Sequence, residues 1–256
     1  MKRPATMALA LAVFASPFWP ANGAQAQVGD APRFALRLEA GPVWQSRNDV
    51  RIPNETGSEF SLVDLIGSGP YPGYRIYASY DLSRRHSLRL LAAPLTLSGT
   101  GRLAEPTEFA GTTFQPGVST DGRYRFNSYR LSYRYLLHDG ARWRWQIGFT
   151  AKIRDAKVEL EQAERSASDS NVGFVPLLHV STSYRLADTW RIVADLDALA
   201  APQGRAEDFA LELARDLSRS WTVAAGYRTL EGGADVDAVY TFAWLHYLTV
   251  SAEVRF

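Results

Sequence analysis

The sequence predicts an all-β protein: a closed antiparallel transmembrane β-barrel of about ten strands, with eight or twelve as the alternatives. Three observations carry that reading. Apolar and polar residues alternate in steps of two along most of the chain after Pro32, as expected of strands whose two sides meet different solvents. No segment after the N-terminus approaches the roughly 18 consecutive apolar residues of a helical span, and the mean hydropathy is −0.19. Aromatic residues still make up 12% of the chain, with 7 Trp and 12 Tyr, and such amphipathic rings settle at the headgroup level of a bilayer.

The N-terminus reads as an export signal rather than as part of the fold. Lys2 and Arg3 supply a positive start, Met7–Phe14 is an apolar run too short to span, and Ala24-Gln25-Ala26 offers the small residues a signal peptidase reads. Residues 1–26 are therefore expected to be a cleaved signal peptide, and residues 27–256 a single barrel domain. The chain has no cysteine, which removes disulfides, a thiol nucleophile and a lipoprotein anchor from consideration. Without Lys2 and Arg3 the basic and acidic residues almost balance. Nothing calls for a nucleic-acid partner, which would need a basic face.

Each strand follows from its alternation. Phe34, Leu36, Leu38 and Ala40 oppose Arg33, Arg37 and Glu39. Tyr129, Leu131, Tyr133 and Tyr135 oppose Arg130, Ser132 and Arg134. Trp143, Trp145, Ile147 and Phe149 oppose Arg144, Gln146 and Lys152. Trp190, Ile192 and Ala194 oppose Arg191, Asp195 and Asp197, and Trp221, Val223 and Tyr227 oppose Thr222 and Arg228. The last strand sets Trp244, His246, Leu248, Val250, Ala252, Val254 and Phe256 against Tyr247, Thr249, Ser251, Glu253 and Arg255. Short connections fall at 82–86, 138–141, 186–188 and 217–219. Longer or irregular ones fall at 47–73, 99–122, 161–171, 201–204 and 231–237, giving the short-turn and long-loop ends of a membrane barrel. Two segments are ambiguous. Residues 205–216 also carry a helical stripe (Ala206, Phe209, Ala210, Leu213), and a spanning strand at 59–66 would raise the count to twelve.

The ending Val250-Ser251-Ala252-Glu253-Val254-Arg255-Phe256 resembles the C-terminal recognition strand of Gram-negative outer-membrane β-barrel proteins. That resemblance implies that Val250, Ala252, Val254 and Phe256 are read by the barrel-assembly machinery. It also implies a place in the bacterial outer membrane after export through the periplasm, with outer-membrane lipids and lipopolysaccharide as neighbours. Two further blocks, YRFNSYRLSYRY at 124–135 and GYRTLEGGAD at 226–235, resemble those of a group of uncharacterised small outer-membrane proteins. No established activity comes with that likeness.

The charged side chains of the polar face are the candidate functional residues. Arg37, Glu39, Arg75, Arg130, Arg134, Arg144, Arg191, Asp195, Asp197, Glu212, Arg228 and Glu253 take inward positions, together with Arg89 and Arg154. A network of ion pairs filling a narrow lumen is the favoured reading, since ten strands leave little more than room for side chains or a small ligand. A narrow pore or transporter for a small, anionic solute is the second. The third, an outer-leaflet lipid-modifying enzyme, would need His179 within hydrogen-bond reach of a serine such as Ser181 or Ser183. No acyl-hydrolase or protease pattern is matched, so a catalyst is the less favoured class, and no catalytic residue, cofactor or metal is assigned. Glu231-Gly232-Gly233-Ala234-Asp235-Val236-Asp237 could supply oxygen ligands to a cation but lacks the spacing of a calcium loop, and a tight outer hairpin is preferred. Arg47, Arg51, Arg102, Arg123 and Arg125 stand near the outer rim, where they could meet lipopolysaccharide phosphates. The expected protein is a monomer with a structural or small-ligand-binding role and a charged, plugged lumen.

Overall fold

The computed structural model describes residues 33–256, so the expected signal peptide lies outside the described residues. Ten long segments pair in chain order. They are β1 (Phe34–Arg51), β3 (Tyr71–Asp81), β4 (His86–Ala93) continued by β5 (Thr96–Arg102), β8 (Ser119–Asp139), β9 (Trp143–Gln162), β10 (Arg165–Arg185), β11 (Trp190–Ala201), β12 (Gly204–Asp216), β13 (Trp221–Val236) and β14 (Val239–Arg255). Each is antiparallel to its neighbours, and β14 returns to pair with β1 from Ala35↔Arg255 to Arg51↔Tyr240. The ring is closed, as hydrocarbon demands, because an open edge there would leave backbone donors and acceptors unpaired at several kcal/mol each. Pro94 splits β4 from β5, since proline cannot donate to a ladder. Both pieces pair with β8, and Asn127 Oδ1 accepts the Leu95 N–H across the break at 3.2 Å.

The apolar face points outward. Leu38, Ile76, Leu90, Leu131, Phe149, Leu178, Leu211 and Leu248 are all exposed on the barrel's outside, which is the inverse of a soluble barrel. At the short-turn end, Trp143 lies 4.7 Å from Tyr184 and 5.8 Å from Trp145 between ring centroids, and Phe34 stacks on Phe256 at 5.8 Å. Toward the other end Trp244, His246 and Tyr227 form a second aromatic group, fixed by a 2.6 Å hydrogen bond between Tyr227 Oη and His246 Nδ1. His246, the awkward member of the outward face, is thus held by Tyr227 and by Ser46 Oγ at 2.8 Å.

Several expected connections are shorter than the sequence suggested. β9 and β10 run on for 20 and 21 residues, leaving only a two-residue turn at Ala163–Glu164 in place of the expected loop at 161–171. A spanning strand needs about 9–11 residues, so these strands continue well past the apolar belt. Likewise β13 runs through the Gly232–Gly233 pair, and the hairpin turns at 237–238. The ambiguous segment at 205–216 is strand β12. The segment at 59–66 is not a spanning strand but a two-residue strand, β2 (Phe60–Ser61), leading into a short helix, α1 (Leu62–Ile66). A small hairpin of β6 (Thr107–Phe109) and β7 (Thr112–Phe114) completes the end that carries the long connections.

The long connection between β1 and β3 folds back into the barrel mouth. Leu62, Leu65 and Ile66 of α1 are buried against Val43, Leu97, Leu160 and Leu245, inward-facing residues of four different strands. Ser61 caps the helix by accepting the Asp64 N–H. Its last carbonyls are met by Gln45 Nε2, 2.6 Å from Gly67 O, and Tyr71 Oη, 2.8 Å from Ile66 O. The inward positions of β5 beneath it are Gly99 and Gly101. A Cβ on Gly101 would come within 2.0 Å of Leu65 O, so the helix backbone can seat only over glycine. Gly101→Val is therefore expected to expel α1, seen as a lower unfolding temperature and new protease cleavage between residues 52 and 70. Unchanged cleavage would show that the helix is not seated on β5.

Candidate functional site

Below the apolar plug the lumen is crossed by a layer of charged side chains, each contributed by a strand whose inward positions alternate with lipid-facing ones. Asp208, on β12, is its centre. Its Oδ1 accepts Arg228 Nη1 at 2.5 Å, and its Oδ2 accepts Arg75 Nη2 at 2.9 Å and Arg130 Nη2 at 2.6 Å. Arg228 also donates to both oxygens of Glu39, at 3.1 and 3.2 Å, and to Tyr77 Oη at 3.0 Å. Arg130 reaches on to Asp197 Oδ2 at 2.9 Å, and Asp197 Oδ1 accepts Thr150 Oγ1 and lies 2.8 Å from His179 Nδ1. Glu39, Arg75, Arg130, Asp197, Asp208 and Arg228 are all buried. Three arginines thus face three carboxylates in a layer that spans the barrel.

The inward residues expected from the sequence divide between this layer and the space beneath it. Glu39, Arg75, Arg130, Asp197 and Arg228 meet in the layer. Arg37 bridges downward to Glu212 and lies 3.2 Å from Glu39, while Asp195 takes both terminal nitrogens of Arg89, at 2.8 and 3.0 Å. Arg191 pairs with Asp216 at 2.5 Å, and Glu253 with Arg255 at 2.7 Å, near the short-turn end. Arg134 and Arg144 are brought into the same space, yet neither has a carboxylate within ion-pair reach among the described residues. Arg154, further up, donates to Asn171 Oδ1 at 2.6 Å. Asp208, the hub, was not among the expected residues, although stepping back from Glu212 in twos reaches it.

This lower space is a cavity of about 620 Å³, open at the end that carries the short turns. Ser79, Gln146, Ser181 and Ser183 line its wall alongside the charges. Eleven arginines border it against seven carboxylates. At the opposite end the ion layer and the apolar plug close the lumen in series.

His179, Asp195 and Asp197 have donor atoms within 4.8 Å of one another, close enough in principle for a metal ion. The carboxylates are already committed, however: Asp195 to Arg89, and Asp197 to Arg130, Thr150 and His179. A cation would have to displace two guanidinium groups, so the cluster reads as an ion-pair network whose carboxylates are committed, with His179 Nε2 left without a hydrogen-bond partner. His179 is 1% exposed and makes no hydrogen bond to Ser181 or Ser183. The catalytic pairing considered from the sequence is therefore absent among the described residues. The carboxylates of 231–237 do not converge either. Glu231 pairs with Arg205, and Asp235 accepts Asn54 Nδ2 at 2.8 Å, about 13 Å apart along an extended strand. Val250, Ala252 and Phe256 of the C-terminal strand lie on the exposed outer face, and Val254 is partly covered there.

Ten antiparallel strands, closed, apolar outside and charged within, define the fold of outer-membrane β-barrel proteins. One solved structure superposes well enough to agree, and two others score lower. The outer-membrane protease OmpT from Escherichia coli superposes with a TM-score of 0.51 at 11% identity, covering 88% of this chain and 97% of that one. The attachment invasion locus protein Ail of Yersinia pestis, in complex with the heparin analogue sucrose octasulfate, gives 0.39 at 10% identity over 88% and 99%. The toluene transporter TodX of Pseudomonas putida gives 0.33 at 10% identity over 88% and 90%. At 11% identity the likeness to OmpT is one of fold alone. No protein-family model and no curated protein matches the sequence.

The ion layer makes a graded prediction. Asp208→Asn removes the charge shared by three buried arginines and is expected to cost about 3–5 kcal/mol of stability. Asp216→Asn, whose side chain is 34% exposed, should cost less than about 1 kcal/mol. Urea unfolding of the two variants in lipid bilayers measures the difference, and equal losses would remove Asp208 from the centre of the network.

Proposed function

We propose that the protein is a closed, non-conducting barrel of the bacterial outer membrane that takes up a small ligand in a vestibule facing the periplasm. The observation that carries this reading is the asymmetry of the lumen. Its outer part is filled by α1 and apolar side chains and its middle by neutralised ion pairs, whereas its inner end is an open, polar cavity. Cavities of several hundred Å³ with a few convergent polar groups are the usual form of small-ligand sites. A continuous pore would instead need an open column of water through the barrel.

The same reading includes export behind the signal sequence of residues 1–26 and delivery to the assembly machinery through Val250, Ala252, Val254 and Phe256. In the membrane the barrel would be a monomer surrounded by lipid. Arg123 and Arg125 project outward beyond the apolar belt, beside Lys157, where they would meet lipopolysaccharide phosphates. The lipid-modifying alternative loses its support, because His179 is sealed behind the lumen wall rather than presented to lipid.

Electrophoresis with and without boiling, combined with membrane fractionation and planar-bilayer recording, tests the reading. The expected outcome is a heat-dependent mobility shift, sedimentation with the outer membrane, and no steady openings from the pure protein. Regular single-size current steps would establish a pore and overturn the closed lumen. A soluble protein without a shift would overturn the membrane barrel itself.

A further inference from the structure

We infer that the vestibule is a binding site for a small oxyanion of the phosphate-ester or dicarboxylate class, anchored by Arg134, with Arg144 nearer the mouth. The inference deepens the proposed reading, since it rests on a lumen closed above the vestibule. Its ground is the different state of the arginines along the lumen. Arg37, Arg75, Arg89, Arg130, Arg191 and Arg228 each have a carboxylate within ion-pair distance. Arg134 and Arg144, which line the vestibule, do not.

Arg134 is partly buried on β8, and its Nε has no hydrogen-bond partner. Directly across the ladder stands Ser87 on β4, 3% exposed, whose Oγ is also without a partner. Two donors on adjacent strands are therefore left without an acceptor at the same height of the wall. Arg37 Nε, on β1, is a third buried donor in this condition. Leaving a buried donor unsatisfied costs about 1–3 kcal/mol, and a polar, roomy cavity beside it is where an acceptor would sit. Asp81, the carboxylate nearest in register on β3, pairs with Ser87 in the ladder but lies beyond ion-pair reach of Arg134. The surplus of arginine over carboxylate around the cavity sets the sign of the missing partner. The planar guanidinium fork sets its chemistry, because two parallel N–H groups match the oxygens of a carboxylate or a phosphate. The cavity's volume of about 620 Å³ admits a molecule of metabolite size and excludes a folded protein segment.

Isothermal titration of the full chain in detergent micelles separates the two sources of such an oxyanion. Inorganic phosphate and succinate are the probes, with glucose as the uncharged control. The expected result is saturable binding of one of the two anions and none of glucose, with the responding anion naming the class. Arg134→Gln should weaken that binding at least about tenfold while keeping the heat-dependent mobility shift, since it removes a cation that no carboxylate balances. Arg144→Gln, at the exposed mouth, serves as the second variant and should weaken binding without touching the fold. Absence of binding by either anion, or unchanged affinity in both variants, would overturn the inference. A barrel that conducts ions would instead overturn the reading on which it rests, so the two failures are distinguishable.

Discussion

A sheet in hydrocarbon has to close, and here closure is made by the ladder between β1 and β14, which ends with Phe256 N–H donating to Phe34 O at 2.8 Å. Much of the interior follows from that constraint. Ten strands enclose more space than the wall's own apolar side chains can fill, because the alternation that greases the outside obliges every second residue to face inward. The chain fills the space with two materials. Toward the end that carries the long connections it folds residues 52–70 inward and packs Leu62, Leu65 and Ile66 against inward apolar residues. In the middle it uses long polar side chains that reach across the lumen, as Arg130 on β8 does to Asp208 on β12. Only the end near the short turns is left open.

The strand pattern was legible in the sequence wherever the two faces of a strand meet lipid and lumen. It fades where both faces meet water. Ser166, Ser168 and Ser170 on β10, and Asp155, Lys157 and Glu159 on β9, stand on outward positions beyond the apolar belt. With polar residues on the outer face as well, the period of two loses its contrast, and a long hairpin reads as a loop. The helix α1 was hidden for a different reason. Five residues carry too little periodicity to announce a helix, and its seat depends on glycines of β5 some 35 residues later in the chain. Gly99 and Gly101 looked like the start of a loop because nothing local says what approaches them.

The inward charges were legible as a set but not as a circuit. Alternation placed Glu39, Arg75, Arg130, Asp197 and Arg228 on one face of their strands, and the barrel brings them together from five strands distant in sequence. Which carboxylate lies at the crossing depends on stagger between neighbouring strands, a quantity no single strand contains. Asp208 lies two inward positions before Glu212 on β12, and nothing within that strand marks it as the crossing point. Register pairs Asp208 with Leu230 and Asp197, and that stagger delivers it to three guanidinium groups at once.

Arginine rather than lysine does this work, and the geometry gives the reason. Arg130 spends Nε on Ser128, Nη1 on Asp197 and Nη2 on Asp208, and Arg228 divides its nitrogens among Glu39, Asp208 and Tyr77. A lysine ammonium is a compact point charge and cannot bridge acceptors so far apart. Lys152, the inward lysine of β9, accordingly joins none of these pairs and sits 5.0 Å from the ring of Phe126. Because a guanidinium does not lose its proton in a protein, arginines buried in the lumen must find negative charge somewhere. In the sealed layer three carboxylates supply it, which makes that layer a permanent part of the wall. In the vestibule the carboxylates fall short of the arginines, and the difference between the two ends of one lumen is a difference in who completes the charge: the chain itself above, and, on the proposed reading, a ligand entering by the open end below.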